Sequence, residues 1–301
     1  MSAHLAPDYA GASNEAIQHH YDLSNDFYAL WLDPSMTYSC ALWEEGDSLE
    51  EAQARKIDHH IAESRADCAA RVLDIGCGWG STLRRLVRTH GTEHAVGLTL
   101  SRQQGALART RTWPDCDIRL ENWADHQPDE PYDSLICIGA FEHFAQFRLT
   151  QREKIAAYRT FFTRCHSWLR PGGRLSLQTI TLEQIPDHPD LLLDLTFIAR
   201  TIFPESQLPA LADIHEASAD VLSLVRTRED GGDYARTCRC WLDRLLAART
   251  RASALVGETA TQNYERYLRA SARVFEQGHA QLLRLTFERP LTDSAGNTPR
   301  G

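Results

Sequence analysis

Short apolar runs bounded by glycine alternate with longer stretches whose apolar residues recur at helical spacing, and this alternation dominates the middle of the chain. Arg71–Ile75 is the first run and ends in Gly76-Cys77-Gly78-Trp79-Gly80. Leu83, Leu86 and Val87 then mark a helix, and His94–Leu98 is the second run. A helix from about Ser101, a weak strand near Ile118 and a strong one at Ser134–Ile138 follow. A further helix extends to about Trp168, Pro171-Gly172-Gly173 predicts a turn, and Arg174–Ile180 reads as the next strand. Runs this short do not suit a helical bundle. Buried strands alternating with helices predict an α/β fold on a doubly wound parallel sheet.

Both ends depart from this pattern. Residues 1–66 are expected to form a helical cap. Within it, Asn14 to Trp31 reads as helix, Asp33-Pro34 breaks it, and Ser48 with Glu51 forms a capping box that opens a helix to about Ala66. Residues 67–183 form the expected ligand-binding core, and 184–216, rich in Pro, Leu and Phe, an expected lid over the active site. In 217–289, Val221–Val225 and Gln281–Phe287 are expected as the last strands, with intervening helices that carry Tyr234, Trp241, Tyr264 and Tyr267. The polar tail 290–301 is expected to be disordered.

Composition narrows the partners. A net charge of −9 argues against nucleic acid as the main ligand. Arg84, Arg85 and Arg88 fall on adjacent helical turns and read equally well as a solvated face. There is no apolar stretch long enough for a membrane span and no signal-peptide pattern at Met1–Tyr9, so a cytoplasmic protein is expected. The eight cysteines are scattered. Cys238 and Cys240 lack histidines at zinc-site spacing and read as free thiols, so no metal is expected.

The glycine loop after the first strand allows a tight turn and a close approach of ligand to backbone. A dinucleotide site would want an acid at the end of the second strand, but that strand ends Gly97-Leu98-Thr99-Leu100-Ser101. Asp74, placed just before the glycines, is a methyltransferase habit.

From here the sequence resembles the cyclopropane-fatty-acid synthase family, which includes the mycolic acid cyclopropane synthases. The matching segments run from about residue 16 to 288. They are His20 to Tyr28, Met36-Thr37-Tyr38-Ser39-Cys40, the glycine loop, Gly97 to Ser101, Ile138-Gly139-Ala140-Phe141-Glu142-His143-Phe144, Phe203-Pro204, and Tyr267 to Phe275. The resemblance implies a class I, Rossmann-like, seven-stranded methyltransferase fold with a helical cap, and S-adenosylmethionine as cofactor. Tyr38, Ser39, Gly76, Gly78, Thr99, Leu100, Gln104 and Trp123 would hold that cofactor. It also implies a bound bicarbonate as base, held by Cys40, Ile138, Glu142, Tyr234 and a histidine on the fifth strand. Here Gln178 stands where the family usually has that histidine. An amide can donate to an anion but carries no positive charge. Bicarbonate could then bind weakly or be absent, with Glu142 itself as base. The product would be a cyclopropane or, if proton removal is impaired, a methylated chain without a ring.

Methyl transfer to an alkene makes a carbocation, which aromatic faces stabilise without attacking it. Tyr38, Trp43, Phe141, Phe144, Phe203, Tyr234 and Trp241 are candidates, about half of them expected to be ordinary core. The expected substrate is an unsaturated lipid-like or isoprenoid-like chain, with a membrane surface or carrier protein as a transient partner. Coclaurine-type N-methyltransferases also place Glu-His after the fourth strand, so a small amine remains an alternative substrate.

Overall fold

The computed structural model describes residues 11–111, 114–182 and 187–291. Seven strands form one sheet in the order β3-β2-β1-β4-β5-β7-β6. They are β1 (Arg71–Ile75), β2 (His94–Thr99), β3 (Cys116–Leu120), β4 (Tyr132–Ile138), β5 (Leu169–Leu182), β6 (Ser223–Glu229) and β7 (Ala280–Glu288). The first five run parallel. β7 enters antiparallel between β5 and β6, so the sheet is mixed where strand alternation alone predicted a parallel one.

Helices α4 (Ser81–Thr89) and α5 (Arg102–Arg111) follow β1 and β2, and α6 (Gln151–Trp168) lies between β4 and β5. On one sheet face, Phe161, Phe162 and Trp168 of α6 pack with Leu135, Leu177 and Phe287. On the other, α3 (Leu49–Ser64) and α4 bury Ile57, Ile61, Leu83 and Leu86 against Val72 and Ala95. A third core, rich in aromatics, joins the N-terminal helix α2 (Asn25–Ala29) to α9 (Gly231–Ala247), α10 (Arg249–Val256) and α11 (Glu258–Glu276), and His20 of α1 (Asn14–Tyr21) stacks on its Tyr264.

Several expected boundaries move. The stretch from Asn14 to Trp31 is two helices, because Ser24 caps α2 by accepting from Phe27 N at 3.2 Å, while Asp22 accepts from Gln103 N at 3.2 Å. Pro171-Gly172-Gly173 is a bulge inside β5 and does not end a strand. Leu169 already pairs with Tyr132, and pairing resumes at Arg174 with Ser134. The sixth strand begins at Ser223 and runs to Glu229, later than Val221–Val225. In the expected lid, α7 (Pro189–Phe197) and a π-helical turn (Ile198–Ile202) pack toward α11. In contrast, α8 (Leu211–Ser218) crosses the expected boundary at 216 and buries Ile214 and Ala217 beneath the sheet with α6. Residues 183–186 and the tail beyond 291 lie outside the described residues, as do residues 1–10 of the cap.

Candidate active site

In this strand order the chain changes direction between β1 and β4, and a cleft opens at the C-terminal ends of these strands, where open α/β sheets bind ligands. Four post-strand loops build it: Gly76–Trp79 after β1, Thr99–Leu100 after β2, Glu121 and Trp123 after β3, and Gly139–Phe144 after β4. At Gly76 the backbone has φ +82°, and an added Cβ would sit 2.6 Å from Ala140 Cβ, so only glycine fits. The loop is pinned by Gly76 N and Cys77 N, which donate to Leu98 O at 3.0 and 2.8 Å.

Tyr38, Ser39, Gly76, Gly78, Thr99, Leu100, Gln104 and Trp123 all line this cleft. Thr99 donates to Gln104 Oε1 at 3.1 Å, which orients the amide. Gln18 of α1 donates to Leu100 O at 3.1 Å and closes the cleft from the cap. The segment Met36–Cys40 is laid over it by α3. Gln53 Nε2 donates to Ser39 O at 2.9 Å, and Lys56 Nζ to Ser39 Oγ at 2.8 Å.

The electrostatics of the cleft centre on Asp74 and Lys56. Burial pushes the Asp74 carboxyl up to about 7, against the pull of Lys56 and Thr82. Its Oδ2 has no hydrogen-bond partner among the described residues. Burial pushes the Lys56 amine down to about 7, helped by Arg284. A deep carboxylate oxygen left open at the edge of a glycine-rich cleft suits a cationic group on the ligand. S-adenosylmethionine carries two such groups, an ammonium and a sulfonium, so these residues fit it.

Of the five residues expected to act on substrate, Ile138 lines the cleft, while Cys40, Glu142, Gln178 and Tyr234 lie outside its lining. Glu142 accepts from Ile180 N at 2.7 Å through Oε1, and its buried Oε2 has no partner among the described residues. Burial pushes this carboxyl up to about 7, although its hydrogen bonds pull it down. Ile138 and Gln178 are register partners across β4 and β5. The Gln178 amide nitrogen reaches Cys40 O at 3.5 Å. Burial pushes the Cys40 thiol up to about 12, against the pull of Arg284. The Tyr234 hydroxyl is held well above its usual range by burial, with Tyr267, Cys238, Cys40 and Glu142 adding to the shift.

The candidate aromatics divide. Tyr38 and Phe144 line the cleft. Phe203 packs on His20 at 4.3 Å and Tyr267 at 5.7 Å between ring centroids. Tyr234 lies 4.6 Å from Phe275. Phe141 faces away, stacked on Tyr158 at 4.6 Å in the core beneath the sheet. Trp241 is fully buried against Trp31 and Tyr38, and Trp43 lies under the Arg236 guanidinium.

Several cleft residues escaped the sequence reading: Ile17, Tyr21, Lys56, Thr82 and Glu121, while His143, read there only as half of the Glu-His pair of the amine alternative, also lines the cleft. A signal existed for Lys56. Gln53, Lys56 and His60 interrupt the apolar stripe of α3, and all three are buried. Glu121 directly follows β3, where a ligand contact is expected. His143 is tied at both ring nitrogens, to Tyr21 Oη at 3.3 Å and Ser206 Oγ at 2.6 Å, and burial pushes it down to about 4.

Known proteins resemble this chain in sequence and fold. The family model of mycolic acid cyclopropane synthetase matches residues 10–285. Cyclopropane mycolic acid synthase MmaA2 of Mycobacterium tuberculosis H37Rv is 38% identical over 287 residues, covering 90% of this chain and 96% of that protein. The solved structure of MmaA2 superposes with a TM-score of 0.85 at 36% identity, covering 92% of this chain and 99% of the other. Mycolic acid cyclopropane synthase CmaA1, complexed with SAH and CTAB, gives 0.84 at 33% identity, with 92% and 99% covered. Coclaurine N-methyltransferase, at 19% identity and a TM-score of 0.74 over 95% of this chain and 84% of that one, shares the fold. The chain belongs to the mycolic acid cyclopropane synthetase family and is an S-adenosylmethionine-dependent methyltransferase of Rossmann-like fold.

Proposed function

We propose that this enzyme methylates an alkene carbon of an unsaturated lipid chain and then removes a proton from the new methyl group to close a cyclopropane. When bound, S-adenosylmethionine supplies an electrophilic methyl group on a sulfonium sulfur. Tyr38, Ser39, Gly76, Gly78, Thr99, Leu100, Gln104 and Trp123 would hold it, as their common cleft supports. Tyr38, Phe203 and Tyr267 offer aromatic faces to a cation on the chain. The alkene gains one carbon and two hydrogens, and one proton leaves.

Glu142 carries this reading. It is buried, one oxygen is held by Ile180 N and the other has no partner, and it titrates near neutrality. A carboxylate poised there can accept a proton at Oε2. Bicarbonate among Cys40, Ile138, Glu142, Gln178 and Tyr234 would supply a second acceptor. A protonated Glu142 could donate to it, and the Gln178 amide is a further donor. The relative solved with CTAB, a single-chain detergent, supports a greasy substrate, as do Leu191, Leu195 and Phe197 of α7, which pack on the aromatic core. Residues 187–210 would then act as a lid, and a carrier protein or lipid surface would present the chain. Amine methylation is less favoured, because both nitrogens of His143 are engaged.

The test is product analysis with labelled-methyl cofactor against unsaturated phospholipids, carrier-bound acyl chains, isoprenoid diphosphates and amines. The expected product is an acyl chain that has gained CH2 and lost its unsaturation. Label only on an amine would overturn the proposal. Glu142→Gln is expected to abolish turnover while SAH affinity stays within about threefold, roughly 0.6 kcal/mol. Full activity in that variant would remove Glu142 from the chemistry.

A further inference from the structure

Behind Gln178 lies a buried polar cluster that the reaction as described leaves unused. Arg284 occupies the middle of β7 as the antiparallel register partner of Gln178 on β5. Its neighbours along the strand, Leu282, Leu283 and Leu285, are core, and its own side chain is 2% exposed. A guanidinium in that position is costly to bury and persists only where every arm is engaged. Nη1 is ion-paired with Asp230. Nη2 donates to Ala41 O at 2.9 Å and lies 3.8 Å from Cys40 Sγ. Nε donates to Gln178 Oε1 at 3.0 Å.

The last contact fixes a direction. Arginine has no acceptor, so the oxygen of the Gln178 amide must face Arg284 and the amide cannot flip. His60 Nε2 meets the same oxygen at 3.2 Å. It therefore carries the proton, and its Nδ1 accepts from Ser176 Oγ at 2.7 Å. With its oxygen doubly occupied, Gln178 turns its NH2 toward Cys40. Asp230 neutralises Arg284 from the Nη1 side, whereas Nε and Nη2 point at Gln178, Ala41 and Cys40. The positive end of the ion pair is thus directed at the proposed anion site.

We infer that Arg284 is a positioning residue for the anion at the reacting centre: it locks the Gln178 amide with its NH2 toward that site and turns toward it the positive end of the Arg284–Asp230 pair, which a glutamine alone does not supply. The inference rests on the proposed bicarbonate site. A histidine at position 178 would meet the guanidinium and stay neutral, so Gln178 and Arg284 work as a pair.

The test measures binding of 13C-bicarbonate by NMR to the SAH complex of the full-length enzyme, together with the KM for bicarbonate and kcat. Arg284→Met is expected to weaken bicarbonate at least tenfold while SAH affinity stays within threefold. Gln178→His alone is expected to gain no bicarbonate affinity, whereas adding it to Arg284→Met should recover most of the loss. If Arg284→Met fails to fold, Arg284→Lys decides. It keeps a cation but cannot hold the amide through Nε, so KM for bicarbonate should rise several-fold with kcat at saturation unchanged. Unchanged bicarbonate binding in whichever of these variants folds would overturn the role of Arg284 and leave the anion site standing. Absence of bicarbonate binding in the unaltered enzyme would overturn both.

Discussion

At the scale of single residues, burial moves two carboxyls toward neutrality. Asp74 is the clearest case, raised to about 7 with one oxygen open to the cleft. A cationic ligand at that oxygen lowers the pKa, so binding and deprotonation are linked. Affinity for the cofactor should therefore rise with pH up to about 7 and level off above it. Lys56 acts in the same sense, since its amine loses charge near the same pH. Calorimetry with SAH between about pH 5.5 and 8 should show this, with a limit of tenfold per unit for one linked proton. Asp74→Asn should reduce the slope and leave only the part due to Lys56; an unchanged slope would clear Asp74 of the role. Asp74 was legible because it stands just before the glycines. Lys56 was not, because α3 carries Glu50, Glu51, Arg55 and Asp58 on its outer face and reads as a solvated helix until its buried stripe is traced.

At the scale of elements, the legible strands were those buried on both faces. β1, β2 and β4 show as short, mostly apolar runs because a parallel sheet covered by helices disfavours polar residues, Asp74 of β1 being the exception that faces the cleft. β6 gave almost no signal. It is an edge strand, largely exposed, and its sequence SLVRTRE ends in the charged residues Arg226, Arg228 and Glu229. The cleft residues after β1 and β2 were legible through glycine, and Gly97 shows why. Its backbone is unstrained, but an added Cβ would lie 2.5 Å from Leu83 Cδ1 and 2.8 Å from Cys77 Sγ. That spacing lets α4 sit on β2 and holds the Cys77 turn in place. Gly97→Ala must push both neighbours away, an overpacking cost of roughly 1–3 kcal/mol. Denaturant unfolding should register this loss, and SAH affinity should fall with it, because Cys77 lines the cleft. An alanine variant with unaltered midpoint and affinity would mean that α4 is looser on the sheet than these contacts imply.

At the scale of the whole molecule, the buried titratable groups predict how stability depends on pH. Asp74 and Glu142, both raised to about 7, keep protons that the unfolded chain has released, so they lower stability as pH climbs from about 4 to 7. His60 and His143, pushed down by burial, stay neutral where unfolded imidazoles charge, so they raise stability over the same range. The two pairs largely offset. Above neutrality Lys56 dominates. Its amine is neutral in the fold from about 7, but the unfolded chain still binds the proton up to its ordinary value. Stability should then rise by up to about 1.4 kcal/mol per pH unit. The rise ends about half a unit below an ordinary thiol value of 9, because Cys40, Cys77, Cys137, Cys165 and Cys238 are all held protonated by burial, and five unfolded thiols that are each about one-fifth ionised cancel the one proton on Lys56. Five linked protons then outweigh one, and stability should drop steeply. Urea unfolding at about pH 7 and about pH 8.5 should differ by less than about 1 kcal/mol in favour of the higher pH, because the thiols and the two raised carboxyls offset much of the Lys56 gain. Lys56→Met removes the buried amine that burial pushes down to about 7. It should be more stable than the parent at pH 7 and lose the rising limb, yet fall as steeply above pH 9. If the methionine variant kept the same rise, the buried amine would already be charged in the folded state, and its bond to Ser39 would be holding an ammonium beside the cofactor cleft.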